Sequence, residues 1–434
     1  MGNGKVLWFF LRSPQARGGS LKLLVDDLYS QEPYAHISPV AETDGLGDII
    51  NKALENIYNE LVDVKTDIEP NLFKVTFDAL NGAVDSGFGS ISYDHPDFEF
   101  VNELKYNNGF FAAFKTHRQQ NDLAKLLVDE NGKLKPFDQF RRDAEPVIGE
   151  YNRNWLKTEY DTAVIRARMA ARFKQFQRDA DLYPNLRWTE STSVVKREPH
   201  IKLYGLILPI THPFWQIQYP GSLWNCKCGI TNTDEAPNGK LFNISDDVPE
   251  PPAGLDGNPA FTGKIFSLKH PYITNAYGGK KIAELVRSFV NKVMLAYAEQ
   301  TLKTFRSTLP EHNGVIITNS ALQSGSLVVL RRSISDVREH NAGYEKLLYI
   351  LKISDEVKSW KYIGYKPVDT YPVGHTLAGK TKHPEAELFT YYEAEIAGRK
   401  VFVNVKLHRH YKCEVLYCIT DYLPKGVIKK PIKK

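Results

Sequence analysis

The stretch "GSLWNCKCGI", residues 221–230, decides the fold of the middle of the chain. It places Cys226 and Cys228 one residue apart, directly after the aromatic run "HPFWQIQYPG". A disulfide between two cysteines separated by a single residue would close a small and badly strained ring. We therefore expect a metal ion, a second chain or a structural signature to explain the pair.

Composition describes a folded chain of several domains. The sequence has 434 residues, of which 25% are charged and 42% are apolar. This length favours two or three domains. Because no apolar run approaches 18 residues, we expect no membrane-spanning segment and no membrane partner. Four cysteines in so long a chain argue against a disulfide scaffold and fit a reducing compartment.

Charge is unevenly distributed. Residues 306–434 contain 21 lysines and arginines against 13 aspartates and glutamates, a formal charge of +8, whereas the whole chain carries +5. A basic C-terminal third on a nearly neutral body suggests contact with a polyanion. The alternative is a solvated surface, and the tail "PKGVIKKPIKK" alone supplies five of the positive charges.

Periodicity and composition predict a multidomain α+β protein. The first 140 residues read as helical, and residues 141–238 combine a long helix with short strands. Residues 239–280 have the proline, glycine and aspartate content of a linker, where limited proteolysis should cut first. A connecting helix at 281–304 precedes a small domain, 305–434, with a helix and an antiparallel sheet.

The middle segment resembles the phage Mu F-like minor head protein family, also called the head morphogenesis domain. The resemblance rests on the helix "WLKTEYDTAVIRARMAARF" and on His200, "LYG", "HPFW", "YPG" and "WNCKC" in the family's order. This chain departs from the family at His212, Pro220 and Lys227, where Asp, a Pro pair and Arg are usual. The resemblance implies a virion protein that meets portal and capsid proteins and is made in the bacterial host's cytoplasm.

The C-terminal segment resembles small ribonuclease-like toxin domains of the barnase, EndoU and colicin type. The resemblance rests on "GSLVVLRRSISDVREH", "GRKVFVNVKLHRH" and "EVLYCITDY". It implies a helix packed on a four-stranded sheet that cleaves RNA without a metal or other catalytic cofactor. It also implies an immunity protein as a further partner.

Two interpretations of the cysteine pair remain open. Thiolates and an imidazole are zinc ligands, so His200, Cys226 and Cys228 could hold a structural zinc ion, with His212 as a fourth candidate. Alternatively, both cysteines are small buried hydrophobes beneath Trp215 and Trp224 that fix an irregular loop.

In the C-terminal domain, several basic and polar side chains fit cleavage of RNA by transesterification. Proton transfer needs groups such as His340, and cationic donors stabilise the phosphorane. Strand alternation predicts Lys406, His408 and His410 on one face, as a phosphate-facing row. The predicted catalytic set is His340, Lys406, Arg338, His408 and Thr420, and the predicted RNA-binding set is Arg331, Arg332, Arg409, His410 and Tyr417. For each residue alone, a solvated or packed side chain is the competing interpretation.

These observations leave two classes of function. In one, a phage head protein carries a toxin that cuts RNA in a target cell. In the other, the protein is purely structural in the virion, and its C-terminal domain is an inactive module that binds nucleic acid or a partner. An RNA digestion assay in chelator separates the two.

Overall fold

The computed structural model describes residues 21–29, 45–93, 95–238, 250–309, 314–340, 343–373, 375–396 and 398–429. They fall into two compact units. The first contains the described residues up to Ser92 and from Asp97 to Val290, and the second contains those of Tyr93–Pro96 and from Asn291 onward. Helices and sheets make this an α+β protein, as predicted. Among the described residues, no helix is long and apolar enough to cross a membrane.

Six helices build most of the first unit. They are α1 (Leu21–Tyr29), α2 (Leu46–Tyr58), α3 (Pro70–Phe88), α4 (Phe98–Ala124), α5 (Phe137–Ile148) and α6 (Trp155–Arg178), with a π-helical segment, Gly149–Asn154, between the last two. Helix α3 begins where Glu69 accepts a hydrogen bond from the Leu72 backbone N–H at 2.6 Å, with Pro70 in its first turn. Both features are typical of helix starts.

Helices α3 and α6 pack backbone against backbone at Gly87. A Cβ atom at this position would lie 2.2 Å from the Val164 carbonyl oxygen and 2.9 Å from the Ala167 side chain. No side chain larger than hydrogen fits there. The small residues seen along α6 in the sequence therefore serve this close helix contact.

A three-stranded antiparallel sheet follows α6. In chain order the elements are β1 (Asn185–Thr189), α7 (Glu198–Ile201), β2 (Ile207–Pro209), α8 (Phe214–Ile217) and β3 (Gly229–Thr233). The strand order is β2-β1-β3, with Leu186 opposite Leu208 and Trp188 opposite Ile230. One face of this sheet carries an apolar core that also contains both cysteines of the "WNCKC" motif.

The predicted linker is corrected by the structure over 250–280. This part of the chain forms two short helices, α9 (Pro259–Thr262) and α10 (Pro271–Thr274), and packs into the first unit. Leu255, Ile265 and Tyr272 are completely buried. Residues 239–249 of the prediction lie outside the described residues. Widely spaced apolar residues bury this segment in spite of its proline and glycine content.

Arg166 of α6 holds that segment in place. Its Nε donates to the Ile265 carbonyl at 2.6 Å, and its two terminal nitrogens donate to the carbonyls of Gly221 (2.8 Å), Leu255 (3.1 Å) and Gly257 (2.7 Å). Burial lowers the pKa of Arg166 to about 10, so the guanidinium stays charged at neutral pH. One side chain thus satisfies four backbone carbonyl oxygens that have no partner in a helix or a strand pair.

A second buried charge on α6, the carboxylate of Glu159, bonds to residues of three other helices. Glu159 pairs with Lys115 of α4 at 2.5 Å, and both side chains are fully buried. Its other oxygen accepts hydrogen bonds from Tyr29 of α1 (2.9 Å) and Tyr272 of α10 (3.0 Å). A buried ion pair is tolerated when hydrogen bonds satisfy its remaining lone pairs, as they do here.

The second unit is built on a six-stranded sheet. Helix α11 (Lys280–Thr308) spans the division between the units. It is followed by β4 (Val315–Thr318), β5 (Ser326–Val329), α12 (Arg331–Glu339), α13 (Tyr344–Tyr349), α14 (Ile353–Glu356), β6 (Lys361–Pro367), β7 (Ala386–Ile396), β8 (Arg399–His408) and β9 (Glu414–Thr420), with 3-10 turns at Ile350–Lys352 and Val357–Ser359.

This sheet is larger than the four strands that the toxin resemblance implies, and it is not purely antiparallel. Its order is β4-β5-β9-β8-β7-β6, and β5 pairs with β9 in parallel. A parallel pair needs a long crossover, and the chain between β5 and β9 supplies one because it contains α12 and three further strands. Strands β7–β9 correspond to the three hairpin strands expected from the sequence, and β6 adds a fourth, antiparallel to β7.

We expect Arg166→Met to destabilise the first unit by about 3 kcal/mol or more, because four buried carbonyls lose their donors. Trypsin should then cut at Lys264 and Lys269, which the wild-type protein protects. Thermal unfolding and timed proteolysis measure both effects. The matched control is Arg168→Met on the exposed side of the same helix, which should change stability by less than about 0.5 kcal/mol. Equal effects of the two substitutions would contradict this role of Arg166.

Candidate functional site

A group of ionisable side chains lies on one face of the sheet in the second unit. We call it the two-histidine cluster. It contains His340 at the end of α12, Tyr417 of β9 and Lys406 of β8, which the sequence predicted, and three residues that were not in the predicted set, Asp336, His383 and Glu385. The pairing of β8 with β9 and the register of β7 with β8 bring these elements together.

Tyr417 is at the centre of the two-histidine cluster. The His340 ring lies 4.6 Å from the Tyr417 ring, centroid to centroid, and the His383 ring lies 5.2 Å from it. The ammonium of Lys406 is 4.0 Å from the same ring centroid, which is a cation–π contact. Both imidazoles therefore reach one phenol, which is half-buried.

Glu385, His383 and Tyr417 form a chain of polar contacts. The Nδ1 atom of His383 lies 3.5 Å from a Glu385 oxygen, and its Nε2 atom lies 3.3 Å from the Tyr417 hydroxyl. Burial, with smaller effects from Cys418, Asp336 and other acidic neighbours, raises the pKa of Tyr417 to about 12. The phenol therefore keeps its proton at neutral pH. Burial and the charge of Lys406 lower the pKa of His383 below its usual value of 6.5.

Lys406 lies deeper than the predicted phosphate-facing row requires. Its side chain is 6% exposed, and its ammonium lies 3.5 Å from Asp336 and 3.3 Å from Glu385. Its charge is therefore shared with two carboxylates. Burial opposes ionisation of Glu385, but a backbone hydrogen bond and Lys406 outweigh it and lower the pKa of Glu385.

His340 faces outward from the cluster. Its Nδ1 donates to the Asp336 carbonyl at 2.6 Å, one turn earlier in the helix, and the side chain is exposed. A neutral imidazole that donates from Nδ1 carries its lone pair on Nε2. The helix end thus presents the Nε2 lone pair of an exposed imidazole beside Tyr417.

His410 does not belong to the row predicted along β8. The strand ends at His408, and His410 lies in the turn that follows, where Lys412 has a positive φ of 51°. The Nδ1 atom of His408 accepts hydrogen bonds from the backbone N–H groups of His410 and Tyr411, both at 3.3 Å. His408 therefore orders the turn. The alternation used in the prediction holds only inside the strand.

The other predicted residues bind parts of the fold. Arg331 donates to the Leu309 carbonyl and Arg409 to that of Ala386, while Thr420 donates to that of Tyr422. Arg338 pairs with Glu299 at 2.7 Å. Exposed Arg332 lies 3.6 Å from Asp336 at the edge of the two-histidine cluster. Of this group only Arg332 borders the cluster.

His383 and Glu385 were missed because they precede β7 in an irregular loop. In the structure, Phe389 pairs with Lys406 in the β7–β8 register. That register places the residues just before β7 near the end of β8 that carries Lys406. A sequence has no way to reveal this register before the strand ends are known.

The first unit contains a second candidate site, which we call the cysteine–histidine cluster: His200, Cys226 and Cys228. Their ligand atoms all lie within 4.8 Å of one another, and all three side chains are buried. The His200 Nδ1 atom is 3.4 Å from each sulfur. Both cysteines are free thiols.

The two thiols have pKa values that are shifted in opposite directions. Burial opposes ionisation of Cys226, but hydrogen bonds with Cys228 and His200 and the charge of His200 outweigh it, so the pKa of Cys226 is well below its usual value. The hydrogen bond with Cys226, together with burial, raises the pKa of Cys228. Of the two thiols, Cys226 is therefore the one that loses its proton more readily.

His212, the candidate fourth ligand, lies outside the cysteine–histidine cluster. Its Nδ1 atom accepts a hydrogen bond from the Phe214 backbone N–H at 3.2 Å, at the start of α8. Within the described part of the chain, no fourth histidine, cysteine or carboxylate joins the three residues. His212, which follows "LPIT" in the sequence, therefore caps the turn that begins α8.

Comparison with known proteins supports the central segment alone. Residues 121–231 match the family model described as "Phage Mu protein F like protein". The chain is 29% identical over 105 residues to "Putative capsid assembly protein F" of Escherichia phage Mu, which is 24% of this chain and 21% of that protein. It is 32% identical over 80 residues to the "Mu-like prophage FluMu F protein" of Haemophilus influenzae, 18% and 19% of the two chains.

The matched region has defined limits. The chain spans about a fifth of the length of these curated relatives. No solved structure gives a significant match. The match covers helix α6, the three-stranded sheet as far as Thr231 in β3 and the cysteine–histidine cluster. Residues 121–231 of this chain are therefore similar to the phage Mu protein F-like family.

Proposed function

We propose that this protein is a head assembly protein of a phage or prophage. The observation that carries the proposal is the family match over 121–231, together with a relative whose name is that of a capsid assembly protein. The matched segment is folded around buried polar contacts, which suits a rigid assembly module. Its proposed partners are capsid and portal proteins, and its proposed locations are the host cytoplasm during assembly and then the virion.

Arg166→Met should lower the yield of DNA-filled heads several-fold when it replaces the wild-type residue in the phage or prophage, because destabilised protein is lost from the cell. Electron microscopy of particles and measurement of packaged DNA quantify the yield. His383→Ala, in the second unit, should leave head yield unchanged. Normal heads from a strain that lacks the whole protein would refute the proposal.

We also propose a second activity, metal-independent cleavage of RNA by the second unit. The observation that favours it is the two-histidine cluster, in which two imidazoles contact one phenol and border a basic domain. Transesterification needs one group that removes a proton and another that supplies one. No group of carboxylates suited to a two-metal mechanism occurs among the described residues of this unit.

In the proposed reaction, neutral His340 accepts the proton of the ribose 2′-hydroxyl at its outward Nε2. The 2′-oxygen then forms a bond to phosphorus, and the bond from phosphorus to the 5′-oxygen breaks, leaving a cyclic phosphate. Tyr417 gives its proton to the departing 5′-oxygen and receives one from protonated His383. Glu385 stabilises that imidazolium, and Arg332 lies at the edge where the phosphate would approach.

The competing proposal for the second unit is a module that binds RNA without cutting it. Both versions require binding that weakens as salt rises, because phosphate contacts release counterions. Only the enzyme requires cyclic-phosphate ends. A cell that makes an active form would also need an immunity protein that covers the two-histidine cluster.

His340→Ala and Tyr417→Phe should each slow RNA cleavage about 10²-fold or more, since each removes a proton-transfer group. The rate is measured with the full-length protein and a labelled RNA, in EDTA, by following cyclic-phosphate ends. The control is His375→Ala, an exposed histidine outside the cluster. Tight RNA binding without cyclic-phosphate products in the wild-type protein would leave the binding module as the only function.

His383 should titrate below its usual pKa of 6.5 in the wild-type protein, because burial and Lys406 disfavour its charged form. Lys406→Met removes one of these causes and leaves Glu385 without its cation, so the pKa of His383 should rise. Histidine NMR signals recorded against pH measure this directly. The alkaline limb of the pH–rate profile should move to higher pH in the same variant. An unchanged titration would contradict the proposed coupling.

A further inference from the structure

We propose that His200, Cys226 and Cys228 bind one zinc ion that holds the end of the Mu F-like segment together. Neither the family match nor the relatives assign a metal to this site. The three residues come from two separate places in the chain, α7 and the loop before β3, and meet in a fully buried position. The inference is independent of the activity proposed for the second unit.

The spacing of the ligand atoms fits a metal centre. Zinc binds sulfur at ~2.3 Å and imidazole nitrogen at ~2.0–2.1 Å in a tetrahedron, which places a nitrogen and a sulfur ligand roughly 3.5 Å apart. The His200 Nδ1 atom lies 3.4 Å from both sulfurs. Equal distances from one nitrogen to two sulfurs are what a shared metal requires.

The hydrogen bonds behind His200 leave Nδ1 free to bind a metal. Ser222 donates its hydroxyl hydrogen to the Gln218 side-chain oxygen at 2.8 Å. The Ser222 oxygen lies 3.1 Å from His200 Nε2 and can only accept there, so Nε2 carries the proton. When His200 is neutral, as a metal ligand must be, the Nδ1 lone pair points at the two sulfurs. Partners that fix the tautomer of a ligand histidine in this way are typical of zinc sites.

The backbone around the cysteines is shaped for convergence. Asn225 has a positive φ of 54°, which turns the chain just before Cys226. Its backbone N–H donates to Thr162 of α6 at 2.9 Å, so the turn is fixed to the central helix. The i, i+2 spacing puts both side chains on one side of an extended chain, so a turn just before Cys226 can aim both sulfurs in the same direction. The backbone strain at Asn225 is explained if both sulfurs must face His200.

Trp188 closes the site on one side, with its ring 5.1 Å from that of His200, centroid to centroid. Three protein ligands leave one position of a tetrahedron for a water or a small anion. The buried site next to the three-stranded sheet favours a structural role, since metal binding would cross-link α7 to the loop before β3. Metal binding energy would then be folding energy.

The test is metal analysis of full-length protein purified without chelator, with about one zinc expected per chain. Protein stripped of metal should take up Co²⁺ and gain the charge-transfer absorption of thiolate ligands. It should also unfold at a lower temperature than the zinc-loaded form. Denaturation should expose four free thiols, whereas a disulfide between Cys226 and Cys228 would leave two.

Cys226→Ser, Cys228→Ser and His200→Gln should each lose most of the zinc, while the matched control Cys413→Ser, a partly exposed cysteine of the second unit, should keep all of it. If the cluster variants fail to fold, titration of stripped wild-type protein with Zn²⁺ against a chromophoric chelator still decides. Wild-type protein that is free of zinc and takes up neither Zn²⁺ nor Co²⁺ would overturn the proposal and leave only packing.

Discussion

The buried polar face of helix α6 is the constraint on which the first unit depends. Glu159, Thr162 and Arg166 lie on this face, and all three are inaccessible to solvent. Each of them bonds to a different part of the chain. Glu159 bonds to side chains of α1, α4 and α10, and Thr162 accepts a hydrogen bond from the loop before β3. Arg166 donates to backbone carbonyls of residue 221 and of the segment 255–265. A buried charge that loses a partner costs several kcal/mol, so these segments must assemble together.

This face also explains which features of the fold were predictable. The helices and the short strands follow from periodicity, because apolar spacing reports local burial. The packing of 250–280 did not follow, since the bonds that fix it run from Arg166 to backbone carbonyls, and any residue type supplies a carbonyl. An arginine in the middle of an amphipathic helix is read as surface. Only in the folded protein does Arg166 become the donor for an irregular segment.

The two candidate sites were predictable to different degrees, because one rests on a short sequence motif and the other on contacts between distant parts of the chain. The cysteine–histidine cluster is anchored by a Cys-x-Cys motif whose short range limits the arrangement, so its three residues were identified from sequence. The two-histidine cluster assembles residues from a helix end, a loop and two strands, so its composition depends on sheet register. His340 and Lys406 came from the predicted catalytic set and Tyr417 from the predicted RNA-binding set, and the fold brings the three together. His410 was misplaced by one turn, and His383 and Glu385 were absent from both sets.

The charges within the two-histidine cluster bear on what it can do. Lys406 is enclosed by Asp336 and Glu385, so with neutral histidines the cluster has a net charge of −1 although the C-terminal third of the chain is basic. A surface that only held phosphates would keep its lysine exposed and would not place two carboxylates beside it. The same arrangement suits proton transfer, because Lys406 lowers the pKa of His383 while Glu385 stands ready to stabilise its protonated form. In the proposed reaction, exposed cations such as Arg332 would attract the polyanion, and the half-buried groups behind them would transfer the protons.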